Sequence, residues 1–437
     1  MEYHRLDSDD LSTLASGLGG TSAVQRLGAS QLSRHLLLLK FISGQWPADR
    51  GDLDAAVATL AEAQRRSPEV FAELVGDPLI GAWLARTTRR LRRPGSAPFP
   101  LSADLLHLGA LAAAAAIRLG LDGELAGYAR KGRLTLPGLG EAVLADDADG
   151  PVLISVSAGQ ARLRTAAGET TAPASGKGWR ELRRLTASHD GLACTVRLED
   201  GNPYRDGYHA PPSERLPDDE AARWQELFAE AWELICRLLP ERAAELAVGL
   251  RAVVPLVDDG AGSARSGTAR DSVGALGSSR PRSAADLAIT IVHEFQHSKL
   301  SAVLDLLPLY VPDGSERHFA PWRVDARPTA GLIQGVYAFL GVADAWRALR
   351  AAPALQDSAT VEFAAVREQL RVGLPALEGS AELTPEGGHF AAGMRGALES
   401  LLAEPLPQDA VRQARSLLEK RQSAWELRHP ELLHPVR

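Results

Sequence analysis

Two histidines four residues apart, His293 and His297, sit with Glu294 in the middle of a largely apolar stretch running from Ser283 to Pro308. Burying three ionisable side chains there is costly unless each finds a partner, so any fold of this chain must supply them. Ser283 followed by Asp286 is a variant of the capping box, and Leu287, Ile289, Ile291 and Val292 add apolar spacing, so one helix is expected from Ser283 to near Pro308. Four residues advance about 400° on a helix, which sets the two imidazoles roughly 40° apart and about 6 Å along the axis. Histidines at that spacing can hold one metal ion, with Glu294 placed to contact a water bound to it.

The first chemistry such a motif suggests is zinc-dependent hydrolysis, with two His ligands, Glu294 as general base and a third ligand downstream. The compact version of the motif needs Gly and His three and six residues after the second histidine. Leu300 and Val303 stand there instead. Asp305 lies roughly 12 Å along the helix from His297, too far to join the same ion. A third ligand is therefore expected after the helix, from among Asp313, Glu316, His318, Asp325 and Asp344.

The rest of the chain frames that helix. Its 437 residues favour several domains or one elaborated core, and 45% hydrophobic with 24% charged residues is ordinary globular composition. A net charge of −7 argues against a nucleic-acid binder, and two cysteines exclude both a disulfide framework and a Cys-rich zinc module. Cys194 and Cys236 read as buried small residues. The start shows no signal-peptide pattern, and the longest apolar run without an ionisable group, Leu108 to Ile117, is half the length a bilayer crossing takes, about twenty residues. A cytoplasmic protein without membrane contact is expected.

Apolar spacing over residues 1–130 predicts a helical N-terminal region, in which the arginines from Arg86 to Arg93 read as a solvated basic face at a helix end. Residues 131–215 predict a β-rich region of antiparallel strands, seen in Arg133–Leu136, Val152–Val156 and Ala161–Thr165. Residues 216–350 are the expected metal-binding core. They open with a helix from Asp218 to about Leu239 that carries Trp224, Phe228, Trp232 and Ile235 on one face, followed by a strand at Ala252–Val257 and a Gly/Ser-rich stretch from Asp258 to Ser279. Within that stretch, Gly267 to Gly277 reads equally as a plain hairpin or as an edge strand able to pair with an extended peptide. Residues 351–437 predict a helical C-terminal region. The class is α+β, mostly helical.

Three segments carry a resemblance: His293-Glu-Phe-Gln-His-Ser-Lys-Leu, Ala320-Pro-Trp-Arg-Val-Asp-Ala-Arg-Pro, and Gly331-Leu-Ile-Gln-Gly-Val-Tyr-Ala-Phe-Leu. Together they resemble the HExxH-motif peptide-modification proteins, assigned as 2-oxoglutarate-dependent peptide β-hydroxylases that act on ribosomally made precursor peptides. The resemblance is strongest over roughly 260–350. It implies a zincin-like active-site helix with a β-rich insertion, Fe(II) in place of zinc, and two His plus one carboxylate on one face of the metal. The family's Pro-Trp-Arg-x-Asp-x-Arg-Pro pattern falls on Pro321, Trp322, Arg323, Asp325, Arg327 and Pro328, which implies Asp325 as the carboxylate ligand. Ala326 departs from the family's Pro. The distal carboxylate of 2-oxoglutarate needs a guanidinium. Arg323 and Arg327 are the first candidates, with Arg265, Arg270 and Arg280 behind them. Trp322, Tyr337 and Trp346 read as core or pocket wall.

Three functions compete: an iron- and 2-oxoglutarate-dependent peptide hydroxylase, a zinc metallopeptidase with Glu294 as base, and a non-catalytic peptide-binding module tied by its metal. All three need the histidines. Replacing His293 or His297 with Ala is expected to remove most metal binding, since a site with three protein ligands tolerates the loss of one poorly. Metal analysis after loading checks this, and full stoichiometry in either variant would refute the motif reading.

Overall fold

A computed structural model describes residues 4–47, 50–93, 95, 98–144, 147, 149–173, 178–260, 265–311, 314 and 317–432. The N-terminal helical spacing produces α1 (Ser8–Ala15), α2 (Gly20–Gly44), α3 (Arg50–Arg66), α4 (Pro68–Val75), α5 (Pro78–Arg92), α6 (Leu101–Leu105) and α7 (His107–Leu119). Asp7, Ser67 and Asp77 each accept a hydrogen bond from a backbone N–H of the helix they precede, and Pro68 and Pro78 stand in the first turns of theirs. The stretch Leu101–Leu119 is long and apolar enough by composition to cross a membrane, yet it is mostly buried inside the fold.

Helix does not continue to residue 130. Gly120, in the left-handed conformation (φ 62°), ends α7, and the chain turns into β1 (Gly123–Ala129). Its inward residues Leu125, Gly127 and Ala129 alternate with outward ones, a period of two that the helical reading overlooked. The backbones of α7 and β1 touch: a Cβ on Gly109 would lie 1.9 Å from the Ala126 carbonyl oxygen, so only glycine fits there.

Eight further strands follow: β2 (Arg133–Leu136), β3 (Gly140–Val143), β4 (Gly150–Ser157), β5 (Gln160–Thr165), β6 (Gly168–Ala172), β7 (Trp179–Glu181), β8 (Arg183–His189) and β9 (Leu192–Leu198). They form an antiparallel sheet in the order β1-β4-β5-β6, a second in the order β2-β3-β7, and the hairpin β8-β9. Then come α8 (Asp218–Leu238), α9 (Pro240–Gly249), β10 (Ala252–Pro255), β11 (Ser266–Gly267) and β12 (Ala275–Ser278). A five-stranded mixed sheet runs β11-β12-β10-β9-β8, parallel where β10 meets its neighbours and antiparallel at both ends. Residues 261–264 of the Gly/Ser-rich stretch lie outside the described residues. Trp224, Phe228, Trp232 and Ile235 of α8 are buried in one cluster with Leu185, Cys194 and Val196 on one face of this sheet. Cys194 is buried and its thiol is pushed up to about 12 by that burial, whereas Cys236 is only half-buried.

The helix α10 (Ala284–Leu306) starts where the capping pattern puts it, with Ser283 Oγ accepting from the Asp286 N–H at 3.1 Å. The helices α11 (Thr329–Leu349), α12 (Gln356–Glu378), α13 (Pro385–Ala403) and α14 (Gln408–Arg428) complete the chain. The described residues form a mixed α+β fold dominated by helix.

The expected solvated basic face holds for the exposed Arg89, Arg92 and Arg93 but not for Arg86 and Arg90, which are half-buried. Arg90 bonds the fully buried Asp104, Arg89 pairs with Asp271 at 2.6 Å, and Arg86 reaches Asp206 at 3.2 Å. Carboxylates from distant segments draw these side chains into contacts that local spacing cannot reveal. Pro94 lies outside the described residues.

A buried ion pair joins α10 to its surroundings. Lys299 Nζ donates to Glu245 Oε2 of α9 at 2.7 Å and to the Gly17 carbonyl at 3.1 Å, and the other Glu245 oxygen accepts the Gly20 N–H that begins α2. Lys299→Ala strands Glu245 as an unpaired buried charge and is expected to cost about 3–5 kcal/mol. The double change Lys299→Met with Glu245→Leu is expected to cost less than the single one, a comparison read by urea denaturation.

Candidate metal centre

Half-way along α10, the imidazoles of His293 and His297 face each other edge to face, their Nε2 atoms 3.1 Å apart. Two metal–imidazole bonds of about 2.1 Å span about 3.0 Å at a right angle and about 3.4 Å at the tetrahedral angle. The observed separation lies between, so the pair fits a shared ion. Both rings are half-buried. Burial pushes the His293 imidazole down to about 4; the His297 ring adds to the shift and Glu294 opposes it, and the neutral form is the one a metal needs.

His297 is aimed by its neighbour across the helix pair. Its Nδ1 lies 2.9 Å from Gln334 Oε1 on α11. With the amide oxygen as acceptor, Nδ1 carries the proton and Nε2 keeps its lone pair for the metal side. His293 is backed by Phe339, whose ring meets it edge-on at 5.3 Å, and Trp322 stacks on the outer face of Phe339 at 4.9 Å. Trp322 lies so close to α11 that a Cβ on Gly335 would meet its indole at 2.4 Å. Tyr337 is fully buried, donating its hydroxyl to the Leu14 carbonyl, and Trp346 packs against the core.

Glu294 is 2% exposed and points toward the sheet edge. Ser266 of β11 donates to its Oε1 and Thr268 to its Oε2, both at 2.7 Å. Oε1 is also 3.9 Å from His293 Nε2. Among the described residues, His293, Glu294 and His297 form the group close enough to hold an ion, with ligand atoms within 4.8 Å of one another.

Asp325 lies outside that group. Arg323 donates to its Oδ1 at 2.9 Å and Arg327 to its Oδ2 at 3.0 Å, and these guanidiniums, Arg323 foremost, hold its carboxyl at about 2. The physical reason is local: basic residues two positions away on either side reach it before anything distant can. The same contacts engage both cations expected to bind 2-oxoglutarate. Arg265, Arg270 and Arg280 are engaged as well, by Asp259, Asp305 and Glu220. Of the other third-ligand candidates, Asp344 pairs with Arg242 and Arg347, while His318 is 3.2 Å from the Thr329 hydroxyl. Asp313 and Glu316 lie outside the described residues.

Sequence reasoning missed Gln334, Ser266, Thr268 and Phe339. Gln334 and Phe339 stood in a quoted segment of the resemblance, but nothing local distinguishes an amide or ring aimed at a histidine. If Gln334 orients His297, Gln334→Leu is expected to lower metal affinity about 10–100-fold while leaving the thermal midpoint close to the wild type. Competition with a chelating dye measures that affinity, and an unchanged value would remove Gln334 from the site. No protein family model matches the chain, and no curated protein matches it.

Proposed function

We propose that the protein is an iron- and 2-oxoglutarate-dependent hydroxylase acting on a side-chain β-carbon of a ribosomally made precursor peptide. The observation that carries this reading is the pair of opposed imidazoles beside a glutamate whose two oxygens already accept protein hydroxyls. A general base of a hydrolase needs a carboxylate directed at water, whereas a hydroxylase needs the histidines and leaves such a carboxylate a supporting part. The helix α10, set against a mixed sheet whose edge strand β11 reaches Glu294, supports a zincin-like arrangement of the core.

Iron and 2-oxoglutarate, when bound, would supply the oxidising power needed to hydroxylate an unactivated carbon. The chain's own residues do the rest. His293 and His297 hold the metal, and Gln334 sets the His297 ring. Arg323 and Arg327 would hold the distal carboxylate of the cosubstrate, and Asp325, which they engage in its absence, would be the third ligand. Phe339 and Trp322 wall the His293 side and keep water from it. The short strand β11, which pairs only with β12 among the described residues, is the edge to which an extended peptide would add.

The second reading, a zinc metallopeptidase, is favoured by the 3.9 Å between Glu294 Oε1 and His293 Nε2, within one water molecule of the metal side. Glu294→Gln separates the two. In the hydroxylase, iron-loaded protein converts 2-oxoglutarate to succinate, and the Gln variant is expected to retain turnover within about 10–100-fold of wild type. Peptide cleavage by the zinc-loaded protein that needs no 2-oxoglutarate and vanishes in the Gln variant would establish the peptidase instead.

A further inference from the structure

The back of α10 lines a separate cavity of about 600 Å³, bounded by α2, α4, the loop before α5 and the outer face of the β8-β9 hairpin. Phe295, Ser298, Lys299 and Ala302 face it. At 100° per residue, that stripe is centred roughly 170° around the helix from the two histidines, so the cavity is distinct from the metal side.

Its sheet wall carries a row of arginines. Arg184 of β8 is the direct cross-strand partner of Arg197 on β9, and Arg251 immediately precedes Ala252, which pairs with Arg197 across the next strand. All three line the cavity. Like charges set opposite each other on neighbouring strands destabilise a sheet, and of the three only Arg197 lies within ion-pair distance of carboxylates, Asp77 at 2.9 Å and Glu199 at 3.3 Å.

The carboxylates in the cavity, Glu73 and Asp77, offset that repulsion only in part. Glu73 bonds Arg118 at 2.7 Å, and Asp77 accepts the Leu79 N–H that starts α5 while lying 2.9 Å from Arg197. The Nε and Nη2 of Arg197 are buried, and their approaches to Glu199 and Asp77 lack hydrogen-bond geometry. Among the described residues, no hydrogen bond or ion pair engages the guanidiniums of Arg184 and Arg251, both of which are exposed to solvent. Partial desolvation and the neighbouring Arg197 pull the Arg251 guanidinium below its usual value, an effect that Glu73 opposes. Val24, Leu27 and Phe295 give the cavity an apolar floor opposite the cations.

We propose that this cavity is a binding site for a small polyanion, carrying a phosphate or clustered carboxylates, held by Arg184, Arg197 and Arg251 behind the metal-binding helix. Guanidiniums take such groups bidentately, and the cavity volume falls in the usual range for small-molecule sites. The site requires no particular reaction at His293 and His297, so it stands or falls apart from the proposed function.

Pyrophosphate and citrate serve as probes for the full chain, followed by calorimetry and thermal melting, with sodium chloride at matched ionic strength as the control. Saturable binding that raises the melting midpoint beyond the salt control is expected. Tighter pyrophosphate identifies a phosphate ligand, and tighter citrate a carboxylate one. Arg184→Gln and Arg251→Gln should each weaken binding about tenfold, the loss of one charge-assisted contact. Without ligand, each variant should melt at or above the wild-type midpoint, because a repulsion has been relieved. Binding no stronger than the salt effect, undiminished affinity in both variants, or a lowered midpoint in the ligand-free variants would each overturn the assignment, the last by showing that the arginines are structural.

Discussion

The helix α10 is enclosed on nearly every side, so each polar group it carries has to be met by a different element. Glu294 is met by Ser266 and Thr268 at the sheet edge, His297 by Gln334, and Gln296 by the Tyr337 carbonyl. Ser298 accepts the Gly274 N–H, and Lys299 is met by Glu245 and the turn before α2. Water cannot compensate groups buried this deeply, so the packing of α2, α9, α11 and the mixed sheet around α10 is specified by these partners as much as by apolar contact. The site depends on that enclosure, because the same contacts that satisfy the helix also aim its histidines.

Two opposite faces of one helix thereby acquire different chemistry. The histidine face is half-buried and walled by Phe339 and Trp322, with a carboxylate at its flank. The opposite face closes a cavity whose charge is set by arginines of the β8-β9 hairpin.

Charge pairing governs much of the remaining surface. Arg86, Arg89 and Arg90 converge on Asp104, Asp206 and Asp271, and Arg323 with Arg327 converges on Asp325. A guanidinium presents a planar fork that matches a carboxylate, so arginines find acids wherever the chain allows it. That preference accounts for Asp325 standing apart from the histidines.

Features that depend on nearest neighbours along the chain were legible in the sequence. The Ser283 cap, the length of α10, the i to i+4 histidine pair and the apolar face of α8 each follow from spacing within one element, where backbone geometry converts sequence distance directly into spatial distance. Helix was expected as far as residue 130 because the alternation in Gly123–Ala129 is carried by small residues that adjoin an apolar helix. What tertiary structure alone decided are contacts between residues far apart in sequence: Gln334 on His297, Ser266 and Thr268 on Glu294, Glu245 on Lys299, and the row of Arg184, Arg197 and Arg251 behind the helix. No periodicity records such pairings, because which acid meets which base is settled only when helices and strands pack and exclude water from between them.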